Sequence, residues 1–165
     1  LWHQGDASEL VEWAMIQSSL THAHPTCMVC CAIYCLWVRK VLDGVDRPFD
    51  SALREVKALR GGDPSLSAAF DTLDEWSGRT PAGTGLVVDT LYSARWAVES
   101  GGTFKDVIRR SILLGNDTDT TAAVAGGIAG LMVGDAGLPD DWMRVLRDRD
   151  RVEPMVVRLA SMRGS

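Results

Sequence analysis

GNDTDTTAAVAGGIAG, residues 115–130, sets two carboxylates and three hydroxyls directly ahead of a run of alanine and glycine. Asp117 and Asp119 alternate with Thr118, Thr120 and Thr121. Oxygen ligands at this density suit a hard divalent cation such as Mg²⁺, which takes carboxylate, hydroxyl and water oxygens in a near-octahedral shell. The same residue types are good N-caps and first-turn acids, so a plainly capped helix start is the competing reading. The free N–H groups of that helix start also favour a nearby anion. The alanine–glycine run decides the fold. Val124 and Ile128 are the only large apolar residues between Ala122 and Gly130, and Gly126, Gly127 and Gly130 interrupt them. Each glycine costs about 1 kcal/mol relative to alanine inside a helix. A helix so slim draws its stability from neighbours packed close to its backbone, which predicts a site deep in a helical bundle.

Outward from this stretch the spacing stays helical. Upstream, Thr103 and Asp106 form a capping-box start for a helix carrying Phe104, Val107, Ile108, Ile112 and Leu113. Before it a helix over about 86–99 closes on Gly101, preceded by the loop SGRTPAGTG at 77–85. Asp63 and Pro64 open a helix through Leu66, Phe70, Leu73 and Trp76, and Pro48 opens one through Ala52, Val56 and Leu59. Pro25 begins a helix over about 25–42 that is apolar on nearly every face until Arg39, and so central. Asp6 and Glu9 start the first helix, through Leu10, Ala14 and Gln17. Downstream lie a turn at 135–139, a short helix over 140–146 that buries Trp142, and a last helix over 154–162. VVDTLY at 87–92 is the one β-like run, and Leu91, Trp96 and Val98 continue it with helical spacing. The fold is expected to be all-α, one multi-helix bundle over residues 1–165.

The chain has 165 residues, 46% of them hydrophobic, and a formal net charge of −5. With no run of Lys or Arg, a nucleic-acid patch is not expected. No apolar stretch approaches the roughly 20 residues of a membrane span, Cys27–Val38 coming nearest before Arg39 and Lys40, so no membrane role is expected. Cys27, Cys30, Cys31 and Cys35 fall at helical spacing with no second ligand pair elsewhere. They read as small buried apolar residues, reduced in a cytoplasmic setting. The chain begins at Leu1, as though entered partway through a longer protein.

Other groups carry weaker signals. His22 and His24 flank Ala23 in a turn, where a histidine is a ligand, an acid–base group or simply a turn residue. The GTG at 83–85 ahead of a helix could bring backbone N–H groups to a phosphate or ribose, or be an ordinary turn. Tyr92 and Trp96, one helical turn apart, read as core. Asp71, Asp74 and Glu75 read as a solvated face, and 147–151 as surface ion pairs. No Ser-His-Asp or Cys-His set emerges from residue order.

Taken together, THAHP at 21–25, GTGLVVDTLYSARWA at 83–97 and LGNDTDTTAAVAGGIAG at 114–130 resemble, in order and spacing, the ADP-ribosylglycohydrolases. The similarity covers roughly residues 10–145. It implies a compact orthogonal helical bundle and a hydrolase that removes ADP-ribose from a modified protein residue or small acceptor, cleaving at the anomeric carbon of the ribose. It implies two Mg²⁺ ions, with Mn²⁺ possible, held in part by Asp117, Asp119 and Thr120, with Asp117 and Asp119 as the catalytic carboxylates. It further implies His22 facing the ADP-ribose, with Thr84, Gly85 and Leu86 on its adenosine side. Family members often carry a covering aromatic near Leu86, and many have glycine at the place of Asn116.

The family's site is completed by an earlier T-D-D-T-like segment and by an acidic residue near the start, and neither occurs here. The resemblance therefore implies the C-terminal part of a longer glycohydrolase domain. Such a segment is expected to bind Mg²⁺ weakly and to turn over nothing until the N-terminal segment completes the site. A catalytically silent ADP-ribose or nucleotide binder and a structural protein are the alternatives. The linkage cleaved is left open by these residues.

Overall fold

The computed structural model describes residues 5–162. Among them lie nine α-helices and no strand. Helix α1 (Ala7–Ser19) starts where the Asp6 carboxylate accepts the Glu9 N–H at 2.9 Å. Helix α2 (Pro25–Leu42) has Pro25 at its first position and His24 as its cap, the ring Nδ1 accepting Thr26 N–H. Helices α3 (Pro48–Arg60), α4 (Ser67–Trp76), α5 (Val87–Glu99) and α6 (Phe104–Leu113) come next, α6 with both halves of the Thr103/Asp106 capping box formed. The slim helix is α7 (Thr118–Val133), after which come α8 (Asp140–Val145) and α9 (Arg149–Ser161). The expected all-α bundle is present.

Four local expectations are corrected. The helix expected from Asp63 is divided into a 3₁₀ turn, Pro64–Leu66, and α4, because the Asp63 carboxylate accepts both N–H and hydroxyl of Ser65 and tightens the first turn. The last helix begins at Arg149, so Pro154 lies inside it, and none of its residues is buried. Trp142 is half-buried only, its ring edge-on to Phe104 at 6.2 Å and beneath Lys105. Trp96 is 40% exposed while Tyr92 is core, because Tyr92 faces α4 and donates its hydroxyl to the Leu73 carbonyl.

Helix α2 forms the centre, packed by α1, α3, α4, α5 and α7. Val29, Ile33, Leu36 and Trp37 are buried along it. The Trp37 ring meets Phe49 edge-on at 5.1 Å, Phe49 meets Tyr92 at 5.6 Å, and the Arg95 guanidinium caps Phe49 while pairing with Asp50. At 18 residues α2 is long and apolar enough to cross a membrane on length and composition, beyond what Cys27–Val38 suggested. Its buried face and the helices packed around it give it the place of a core helix.

The close approach expected of α7 is realised. A Cβ on Gly127 would stand 2.4 Å from the Tyr34 hydroxyl of α2, and one on Gly126 3.0 Å from Ile108 of α6. Tyr34 also donates to the Val124 carbonyl. At Gly130 the nearest atom would be 3.9 Å away. Gly127→Ala is therefore expected to lower stability by about 1–2 kcal/mol, overpacking outweighing the helix-propensity gain. Gly130→Ala is expected to raise it by about 0.5–1 kcal/mol. Urea unfolding of the two variants checks this; equal shifts would show that Tyr34 does not limit the approach.

Candidate active site

The loop before α5 is organised by a charge that residue order alone did not single out. Asp89, in the first turn of α5, is wholly buried. Its carboxylate accepts Thr84 N–H at 2.6 Å, Ala82 N–H at 3.1 Å and the Ser93 hydroxyl at 3.3 Å. Ser93 in turn accepts Gly83 N–H, and Thr90 donates its hydroxyl to the Thr84 carbonyl. Burial pushes the Asp89 carboxyl up, but the hydrogen bonds, those to Thr84 foremost, hold it below the ordinary range. The signal in sequence is a lone acid on the apolar run VVDTLY.

This loop is joined to the corner at the start of α7. Asp117 N–H donates to the Gly83 carbonyl at 2.8 Å, and the Asn116 amide donates to the Ala82 carbonyl at 3.0 Å. Gly83 has φ +65°, and a Cβ there would meet Leu114 Cβ at 2.8 Å. Asn116 has φ +55°, a conformation asparagine tolerates better than most residues. A Cβ on Gly85 would come within 3.0 Å of the Asp117 carboxylate, so glycine keeps that carboxylate's approach clear.

At the corner Asp117 occupies the N-cap position of α7 but makes no side-chain cap hydrogen bond of ordinary geometry. The Thr120 backbone contributes only the smallest part of the hydrogen bonding to this carboxylate, behind the Thr120 and Asp119 side chains, so capping is not its main interaction. The Asp117 carboxyl is held below its usual value by hydrogen bonding to the Thr120 side chain first and to Asp119 second. Asp119 and Thr120 are exposed and Asp117 half-exposed. Thr121 turns inward, wholly buried with its hydroxyl unpartnered, and so leaves the oxygen cluster.

Beside the corner lies a cavity of about 870 Å³ between the α1–α2 turn, α2, the 82–86 loop, α5 and α7. His22, Gly85, Leu86 and Thr120 line it. Asp117, Asp119 and Thr84 do not; the Asp117 carboxylate stands beside Gly85 at its edge, and Thr84 is engaged within the loop by Asp89 and Thr90. His22 is exposed, with Nδ1 3.0 Å from the Thr21 hydroxyl. His24 has the structural role of capping α2. The cysteines are not uniformly buried filler: Cys30 is buried, while Cys27, Cys31 and Cys35 are half-exposed and all four face the cavity.

The family model for ADP-ribosylglycohydrolases matches residues 1–165. The chain belongs to that family. An ADP-ribosylarginine hydrolase of Pseudomonas putida is 29% identical over 146 residues, 88% of this chain and 38% of that protein. An ADP-ribosylarginine hydrolase of Serratia proteamaculans is 37% identical over 79 residues, 48% of this chain and 22% of its own length. The ADP-ribosyl-(dinitrogen reductase) glycohydrolase of Rhodospirillum rubrum is 26% identical over 165 residues, 96% of this chain and 52% of the relative. The chain thus spans about half or less of the relatives it matches.

The Asp117–Thr120 corner fits a hard cation in kind and falls short in number. Carboxylate and hydroxyl oxygens from Asp117, Asp119 and Thr120 are the ligand types Mg²⁺ takes. Among the described residues no three His, Cys, Asp or Glu side chains converge as a metal-holding group. Three ligating side chains are too few for two octahedral ions, so further ligands would have to come from water, substrate or groups outside this cluster.

Proposed function

We propose that the protein takes part in the hydrolytic removal of ADP-ribose from modified proteins, with ADP-ribosylarginine the first linkage to test. What supports this reading is the hydrogen-bonded union of the 82–86 loop with the Asp117–Thr120 corner at the lip of the cavity. That union sets carboxylate oxygens beside a space large enough for a nucleotide-sized ligand. Two of the relatives are named for hydrolysing ADP-ribosylarginine.

In this proposal the ADP-ribose lies along the cavity, with His22 and Thr120 facing it and Gly85 and Leu86 forming the rim on its adenosine side. Asp117, Asp119 and Thr120 would hold Mg²⁺, or Mn²⁺, which when bound supplies polarisation of the ribose hydroxyls and a more acidic water. Asp117 and Asp119 orient that end of the ligand, and the hydrogen bonding that holds the Asp117 carboxyl below its usual value favours the charge a cation requires. The four reduced thiols accord with a cytoplasmic place of action.

The short supply of carboxylates favours a second reading, an ADP-ribose binder without turnover. Calorimetric titration of the intact protein with ADP-ribose, with and without Mg²⁺, alongside an assay for ADP-ribose release from modified arginine, separates the two. Metal-dependent binding with turnover is expected. Metal-independent binding without turnover would establish the binder, and absence of binding would sink both.

A further inference from the structure

The wall of the cavity opposite the glycine loop is made of thiols. Cys27, Cys31 and Cys35 recur every four residues along α2, so they form one stripe on one helical face, and all three are half-exposed into the cavity. Cys30 also borders it but is only 2% exposed. The four are free thiols, and they do not converge as a metal-holding group. Tyr34 and Val124 line the same cavity, so a group attached to this stripe would take up part of the ligand space.

We propose that Cys27 and Cys31 form a thiol-modification site whose occupation by a low-molecular-weight disulfide blocks the cavity. The step is thiol–disulfide exchange. The thiolate of Cys27 or Cys31 attacks one sulfur of the small disulfide, a protein–ligand S–S bond forms, and the original S–S bond breaks. The departing thiolate takes up the proton the cysteine gave up. No further oxidant is consumed, and a reducing thiol reverses the reaction. Selectivity within the stripe arises from access and acidity: Cys30 is buried and its thiol pushed far up by burial, and burial also raises Cys35. Cys27 and Cys31 lie nearer the start of α2, on the side of the α1–α2 turn that carries His22 and His24.

The blocking effect rests on the ADP-ribose reading, whereas the modification pattern does not, and the test reads them apart. The intact protein is treated with 2-hydroxyethyl disulfide under native conditions, and adducts are mapped by peptide mass spectrometry. Adducts are expected on Cys27 and Cys31 and not on Cys30 or Cys35, with Cys27→Ser/Cys31→Ser taking none. Equal labelling of all four thiols, or none before unfolding, would overturn the site. The modified protein is expected to bind ADP-ribose at least tenfold more weakly, with dithiothreitol restoring affinity, and the double serine variant to bind undiminished after the same treatment. Unchanged affinity in a protein labelled at both positions would overturn the blocking role. An untreated protein that fails to bind ADP-ribose, yet labels selectively, would count against the glycohydrolase reading and leave the site standing.

Discussion

Asp117→Asn and Asp119→Asn are each expected to reduce ADP-ribose release by the intact protein by about 100- to 1,000-fold while moving its stability by no more than about 0.5 kcal/mol. The separation of the two effects is what the geometry supports. If Asp117 were the helix cap its position suggests, its loss would cost about 1 kcal/mol of stability. Its carboxylate makes no ordinary cap bond, however, and the attachment of this residue to the loop runs through its backbone N–H to Gly83, which asparagine retains. The side chain is hydrogen-bonded chiefly to the Thr120 and Asp119 side chains, the other two members of the oxygen cluster. Asparagine preserves shape and removes the charge that a hard cation requires. Gly85→Ala provides an independent check. Its methyl group would stand 3.0 Å from the Asp117 carboxylate and is expected to depress metal-dependent ADP-ribose binding about tenfold without unfolding the chain. Kinetics paired with urea unfolding decide the matter. Activity within a few-fold of the unsubstituted protein, accompanied by a stability loss near 1 kcal/mol in Asp117→Asn, would return the residue to a capping role.

The helical plan was legible because its punctuation is local. Asp6, Pro25, Pro48 and the Thr103/Asp106 pair start helices where capping and proline rules place them. The glycines of α7 likewise announced a close approach, realised at Tyr34 and Ile108. What local rules cannot supply is which side of a helix meets which neighbour. Trp96 and Trp142 have apolar bulk suited to a core, yet their faces point outward or to a surface cation. The cysteines have the spacing of filler, and only the arrangement of α5 and α7 around α2 places all four along a cavity and leaves three of them half-exposed there. At the site, the partnership of GTG with NDTDT was visible as a resemblance alone. Its physical basis, a buried carboxylate gathering backbone N–H groups across residues 82–89, is a tertiary arrangement, and residue order shows only an acid among apolar neighbours.

That carboxylate carries the second large expectation: Asp89→Asn should lower stability by about 2–4 kcal/mol and weaken ADP-ribose binding in the same protein. Ala82 and Thr84 direct N–H groups at the two different oxygens of Asp89. Asparagine offers one oxygen and one NH₂, so whichever way the amide turns, one part-buried N–H faces another donor. The loop would then be released, and with it the Gly83 carbonyl that accepts Asp117 N–H, which links the stability loss to the site. The acid limb of the stability curve gives a second readout. The folded pKa of Asp89 lies below its unfolded value of about 3.9, so its stabilisation is fully present above that value and is lost as pH falls from there through the folded pKa. Asp63 and Asp106, also lowered, act in the same direction from exposed positions where solvent screens them. Replacing Asp89 should therefore flatten the fall in stability below about pH 4 as well as lower the plateau above it. Urea unfolding from pH 3 to pH 7 measures both. A plateau within 1 kcal/mol of the unsubstituted protein, with the acid limb unchanged, would mean that the loop is held by its own turn geometry and by Ser93 rather than by the buried charge.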